Sequence, residues 1–315
     1  MKYLVRKLIT MIVTVLMVSL FVFIAFSVIP GDPAVGMLGT TATEEKVEIL
    51  REQMGLNRPL PVRFAFWMRD FFFGDMGLSY SYHIPVKQML ADKLPITLTL
   101  TGLSFLLIVL LSIPLGILTS KYYDRFFAKA FDVVNQLFMA IPPFFIGILL
   151  TYLFGMLLHA FTPGNYVSYE TDPAAFFAYM FVPALSVALP KAAMNMRLLK
   201  SEILSEAKLD YVRTAYSRGN ATDQVLYRHV LRNALLPVVT FLGMTLTDIV
   251  AGSIVIEQVF SIPGFGRLLI TSISNRDYPV AQAIIAIIAM LVVLINFLVD
   301  VIYPIIDPRV RKHAQ

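Results

Sequence analysis

The sequence predicts an all-α polytopic membrane protein with six transmembrane helices and both termini on the cytoplasmic side. Three observations carry that prediction. Hydrophobic residues make up 57% of the 315 and charged residues only 15%, with a mean hydropathy of +0.73; soluble domains carry about 25% charged residues. Six apolar runs approach or exceed the roughly 20 residues that a helix needs to cross a bilayer. The segments 1–7, 120–132, 191–233 and 309–315 hold 17 Lys and Arg, whereas the short segments that alternate with them hold 2. The Lys- and Arg-rich side is the cytoplasmic one. The remaining 7 lie in a loop of 66 residues, beyond the length over which that rule counts well.

No residue between Lys7 and Asp32 is charged, which gives a first span of about 8–29, ended by Ile29-Pro30-Gly31-Asp32-Pro33. The run is too long for a signal-peptide core and no small-residue cleavage site follows, so an uncleaved span is expected. Residues 30–95 are polar to amphipathic. Thr43 with Glu44 and Glu45 marks a helix start, because acids favour the positive N-terminal end. Val47, Leu50 and Met54 share a face and Gly55 stops that helix. A second helix after Pro61 aligns Phe64, Trp67 and Phe71 and ends at Gly74. Beside a membrane span, such an aromatic stripe favours a helix lying in the interface over ordinary core.

The second span is expected at about 94–119, with Pro95 in its first turn and a kink at Pro114. The third covers about 133–158 with Pro142-Pro143 in its interior, where neighbouring helices are expected to satisfy the freed carbonyls. The segment from His159 to Tyr179 has no Lys or Arg and reads as external. The fourth span runs from about 176 to 196, the fifth over 234–256 and the sixth over 279–302.

Composition also excludes some chemistry. With no cysteine there is no disulfide and no thiolate metal site. The four histidines, at 83, 159, 229 and 313, have no ligand spacing, so neither a metal nor a cofactor is expected. The net charge of +5 follows from basic cytoplasmic loops rather than from nucleic-acid binding. No Gly-Lys pair occurs, which removes a phosphate-cradling loop, and no hydrolase or protease motif is present. The chain is therefore not expected to be an enzyme.

Asp210 to Pro237, DYVRTAYSRGNATDQVLYRHVLRNALLP, is the longest polar and basic run between two apolar blocks. It reads as short helices broken at Gly219-Asn220, where Gly allows a positive-φ cap. The run resembles the cytoplasmic coupling loop of binding-protein-dependent ABC importer permeases, in its dipeptide/oligopeptide/nickel form. Ala215 and Gly219 match the general Glu-Ala-Ala…Gly pattern, and Arg213 and Thr214 stand where that pattern has Glu and Ala. Further matches run nearly end to end. They are Pro30-Gly31-Asp32-Pro33, GLNRPLPVRF at 55–64, Gly74-Asp75-Met76-Gly77, Pro95-Ile96-Thr97-Leu98, Glu257-Gln258-Val259-Phe260, Ile262 to Arg267, and Asn275-Arg276-Asp277-Tyr278-Pro279.

The long segment between the first two spans resembles the B-type subunit. The resemblance implies a type I importer fold and one permease domain over 1–315. Within it lie an external segment at about 30–95, a core at about 94–305 and a cytoplasmic coupling loop at about 197–232. It implies a second, C-type permease subunit, two cytoplasmic ATP-binding subunits, an external substrate-binding protein, and the cytoplasmic membrane of a prokaryote as location. Di- or oligopeptides are the implied cargo, with nickel or another small solute as the alternative within the family. A proton-coupled secondary transporter using Asp248 and Glu257 is the alternative of another class.

The residues implied in coupling are Asp210, Tyr211, Arg213, Thr214, Ala215, Arg218, Gly219 and His229. For Arg213 and Arg218, pairing with ATPase acids and simple solvation both stand. Asp248, Thr247, Asn135 and Asn195 are candidates for the translocation pathway. A central acid costs about 2.5–3.5 kcal/mol on insertion scales, so Asp248 should avoid lipid. Its alternative role is a structural hydrogen bond between helices. Gly243, Thr247 and Ala251, spaced by four, read as a close helix contact.

Overall fold

The computed structural model describes residues 2–28, 33–38 and 42–306. The expected break at Ile29–Asp32 and the C-terminal tail with His313 lie outside those residues. The chain divides into two compact units, Met1–Thr97 with Pro263–Leu294, and Leu98–Ile262 with Ile295–Gln315.

The first unit begins with α1 (Lys2–Val28), followed by α2 (Pro33–Leu38), α3 (Glu44–Gln53), α4 (Leu60–Phe72) and α5 (Val86–Ala91). Thr43 and Gly55 bracket α3 as expected, Gly55 with φ +66. The aromatic stripe of α4 meets α1: Phe23 lies 5.5 Å from Phe64 and 5.8 Å from Trp67, ring to ring. That stripe is therefore packed on a neighbouring helix, while Leu60, Val62 and Phe66 stay exposed. The same unit holds α13 (Phe265–Ser274) and the first part of α14 (Tyr278–Ile306).

The second unit is built on α9 (Pro173–Glu206), which packs against α7 (Phe126–Ala140), α8 (Pro143–Thr151) and α12 (Leu231–Val259). It also holds most of α6 (Leu94–Lys121), the short helices α10 (Asp210–Ser217) and α11 (Thr222–Val225), and the end of α14. Asp172 caps α9 by accepting from Ala175 N at 3.0 Å, and Pro173 takes the first turn, where no N–H is needed.

Among the described residues five helices are long and apolar enough to cross a membrane. A sixth span arises if α7 and α8 with its π-helical continuation, Tyr152–Leu157, are counted together; the two are bent by 108°. The third span thus differs from the continuous helix expected through Pro142-Pro143. Ile141 and Pro142 each precede a proline, a setting that disfavours the helical region. Both are extended, at ψ 129 and ψ 144, and Pro143 restarts the helix. Pro114 and Pro237 interrupt nothing, since α6 and α12 run through them. The fourth helix is longer than expected, continuing past Met196 to Glu206.

Gly243 explains one close approach in α12. A Cβ there would meet Val299 Cγ2 at 2.5 Å, and one turn on Thr247 hydrogen-bonds Asn296 Oδ1 at 3.1 Å. Ala251, the third residue of the series, is exposed. Overpacking a helix contact typically costs about 1–3 kcal/mol. Gly243→Leu is therefore expected to lower the melting temperature of the purified protein in detergent, and an unchanged melting temperature would contradict the contact.

Candidate coupling and translocation sites

The candidate coupling stretch folds as two short helices, α10 and α11, between the ends of α9 and α12. Val212 and Ala215 turn inward and are buried, whereas Asp210, Tyr211, Arg213, Thr214, Ser217 and Arg218 form the outer face. Ala215, 6% exposed, packs within the unit instead of standing on the outer face. The chain reverses at Gly219, φ +82, a backbone region that glycine enters at no steric cost and β-branched residues enter only with strain. A Cβ there would meet nothing within 4 Å, so backbone conformation and not crowding demands the glycine. Asn220 Nδ2 closes the turn on Ala215 O at 2.9 Å.

α10 is tied to both flanking helices by one polar cluster. The Tyr211 hydroxyl donates to the Glu206 carboxylate at the end of α9. Asn233 Nδ2, in the first turn of α12, donates to the Tyr211 hydroxyl at 3.1 Å and to Glu206 Oε2 at 3.5 Å. Lys121, the last residue of α6, pairs with Asp223 of α11 at 2.6 Å. The Asp210–Arg213 pair is 3.5 Å long and almost fully exposed, a geometry that contributes little. His229 lies half-buried in the π-helical turn Leu226–Val230 that leads into α12.

Asn135, Asn195 and Asp248 fall on the seams between α9 and its neighbours, and Thr247 lies between α12 and α14. Asn135 Nδ2 donates to Ala193 O at 2.8 Å. Asn195 Nδ2 donates to Thr245 Oγ1 at 3.3 Å and to Lys191 O at 2.9 Å. Asn135 and Asn195 are buried and bond helix to helix, and Thr247 bonds Asn296. Asp248 behaves differently. Lys191 Nζ reaches its Oδ2 at 2.7 Å, and the carboxylate remains 62% exposed against 24% for the lysine side chain. Lys191, counted in sequence among the cytoplasmic cations, instead lies in the middle of α9. It went unnoticed because its partner is 57 residues away in the chain; a single cation inside an apolar run was the available signal.

A second ion pair lies nearer the α10 end of α9. Lys200 Nζ contacts both Asp132 oxygens, at 2.8 and 2.7 Å. With Gln136, Arg197 and Ser201, the pair lines a cleft of about 380 Å³ between α7 and α9.

In the first unit, residues 77–86 form a tight hairpin. Val86 N donates to Gly77 O and Ser79 N to Ile84 O, both at 3.0 Å. Its base is held by Asp277, between α13 and α14, which is 1% exposed. Asp277 accepts from the Ser79 hydroxyl, from Tyr80 N at 3.0 Å and from Ser81 N at 3.4 Å. The tip, with Tyr82, His83 and Ile84, is exposed. In sequence, Asp277 was legible only as part of the motif Asn275–Pro279; its partner is nearly 200 residues upstream.

Models of two families cover the chain almost completely. Residues 112–312 match the binding-protein-dependent transport system inner membrane component, and residues 1–101 match the N-terminal part of such a membrane component. The chain belongs to this permease family. Its permease relatives align over nearly their whole length. It is 35% identical over 309 residues to "Probable peptide ABC transporter permease protein y4tP" of Sinorhizobium fredii, covering 98% of this chain and 99% of that one. It is 33% identical to the oligopeptide transport system permease protein AppB of Bacillus subtilis, covering 98% and 99%. It is also 33% identical to the glutathione transport system permease protein GsiC of Escherichia coli, covering 99% of each. The permease is thus a multi-pass membrane protein of the all-α ABC importer fold, as its apolar helices and its family require.

Proposed function

We propose that this chain is the B-type permease subunit of an ATP-driven importer of di- or oligopeptides in a prokaryotic cytoplasmic membrane. Relatives that align over nearly their full length are named for peptide, oligopeptide and glutathione transport, which favours peptides over nickel. A C-type permease completes the pathway, two ATPase subunits bind on the cytoplasmic side, and a binding protein delivers substrate outside. The external segment, about 30–95, carries the Asp277-anchored hairpin that docks the binding protein.

The observation that carries the reading is the Glu206–Tyr211–Asn233 cluster. It joins one exposed polar helix, α10, to the two helices that carry Lys191 and Asp248. A push on α10 from an ATPase is then delivered to α9 and α12 together. A structural change driven in this way requires contacts that differ between states, and an ATPase that closes on ATP supplies them.

Reconstitution with the partner permease, the ATPases and the binding protein in proteoliposomes tests the proposal. ATP-dependent uptake of short peptides, absent without the binding protein, is the expected result. Uptake by this chain alone under a proton gradient would replace the proposal with a secondary transporter, and uptake of nickel without peptide would replace the cargo.

A further inference from the structure

Beyond its first turn, the exposed residues of α12 fall on one face. Met244, Asp248, Gly252 and Val255 recur at three- and four-residue spacing, and a side chain at Gly252 would meet nothing within 4 Å. Asp248 is the one charged side chain in that stripe. It lies about 25 Å along α12 from Leu231, and Lys191 about 22 Å along α9 from Glu206, at 1.5 Å per residue. Both are thus far from the helix ends that flank α10. Asp248 Oδ2 is taken by Lys191, while Oδ1 has no partner among the described residues. An open carboxylate oxygen at that depth cannot face hydrocarbon, so the stripe faces water or a polar partner.

We infer that the Lys191–Asp248 pair is a charge-neutral contact site on the wall of the translocation pathway, where the charged groups of a passing peptide exchange with the pair. The inference rests on the importer reading above. A peptide is zwitterionic, and the pair offers a carboxylate to its ammonium and an ammonium to its carboxylate. Because the pair is neutral, it neither traps nor repels a peptide of either sign. Conduction needs such balance, since a site must bind well enough to admit and weakly enough to release. An unpaired Asp248 would retain cationic peptides, and an unpaired Lys191 anionic ones. The buried Asn195–Thr245 bond, one turn away, holds the two helices in register at the pair.

The test uses the complete transporter in proteoliposomes with one binding protein and three tripeptides, Ala-Lys-Ala, Ala-Ala-Ala and Ala-Asp-Ala. Delivery is unchanged between variants, so ratios of uptake report the permease. Asp248→Asn is expected to shift the cationic-to-anionic uptake ratio down by about fivefold, and Lys191→Met to shift it up by a similar factor, the upper range for an exposed ion pair. The doubly exchanged variant, Lys191→Asp with Asp248→Lys, is expected to restore the wild-type ratio. Uniform loss of all three peptides in both single variants, with wild-type ratios, overturns the inference in favour of a purely structural clamp.

A second measurement does not depend on uptake. In this cysteine-free chain, Asp248→Cys in the assembled transporter is expected to react with a membrane-impermeant thiol reagent. Protection in every nucleotide state and from both sides overturns the inference. Absence of peptide uptake by the wild-type transporter would instead overturn the proposed function, leaving the labelling to decide whether this face is wet.

Discussion

Gly219→Val is expected to reduce ATP-dependent uptake by at least tenfold while leaving the protein inserted in the membrane and associated with its partner permease. The glycine sits at φ +82 between α10 and α11. A β-branched residue held in that region costs about 1–3 kcal/mol, and 1.4 kcal/mol already corresponds to a factor of ten in an equilibrium. Because a Cβ at Gly219 meets no neighbour, the strain can be relieved only by turning the backbone, which reorients α10 against α11. The outer face of α10, with Arg213, Thr214 and Arg218, then no longer presents itself as a unit. Uptake and ATP hydrolysis measured together check this, with hydrolysis expected to persist without its dependence on the loaded binding protein. Wild-type coupling in Gly219→Val would remove α10 from the transmission path. Gly219→Asn is the internal control, since asparagine tolerates positive φ and is expected to retain most activity.

Asp277→Ala is expected to abolish uptake that depends on the binding protein, with assembly on the cytoplasmic side preserved. One buried carboxylate satisfies three donors of the hairpin, the Ser79 hydroxyl and the backbone N–H groups of Tyr80 and Ser81. Hydrogen bonds to a charged group are worth about 1.5–3 kcal/mol each, and Ser79, fully buried, would be left with its hydroxyl away from water and without this acceptor. The hairpin is short, with one isolated bridge, Leu78 with Pro85, and a few backbone hydrogen bonds, so the Asp277 carboxylate is a large part of what ties it to the rest of the unit. Hydrogen exchange is the direct check, with faster exchange expected at Tyr80 and Ser81 and none of that change at α9 or α12. Loss of stimulation by the binding protein across its whole concentration range is the functional counterpart. Unchanged exchange together with unchanged uptake would show that the carboxylate neither shapes the hairpin nor supports docking.

Much of this protein is determined by short-range properties of its sequence. Helix existence follows from apolar run length, and the limits of α3 and α4 follow from Thr43, Gly55 and Gly74, because caps and positive-φ glycines act over one turn. The break after α10 was legible for the same reason, in Gly219-Asn220. The family was legible because many short motifs occur in one order, although the motifs gave no physical reason for themselves.

What only the tertiary structure decided is pairing across long separations. Asp277 with Ser79 and Lys191 with Asp248 join residues that share no local pattern, so no periodicity points from one partner to the other. The direction in which Ala215 faces was likewise undecided, since a small residue suits an inner and an outer face equally until the neighbouring helices are in place. The 108° bend at Ile141-Pro142 stands between these cases. Two consecutive prolines remove the helical option at two residues in succession, a local effect visible in the sequence. Whether neighbouring helices keep such a span nearly straight or let it turn is settled by packing, and here α8 turns and packs on α9.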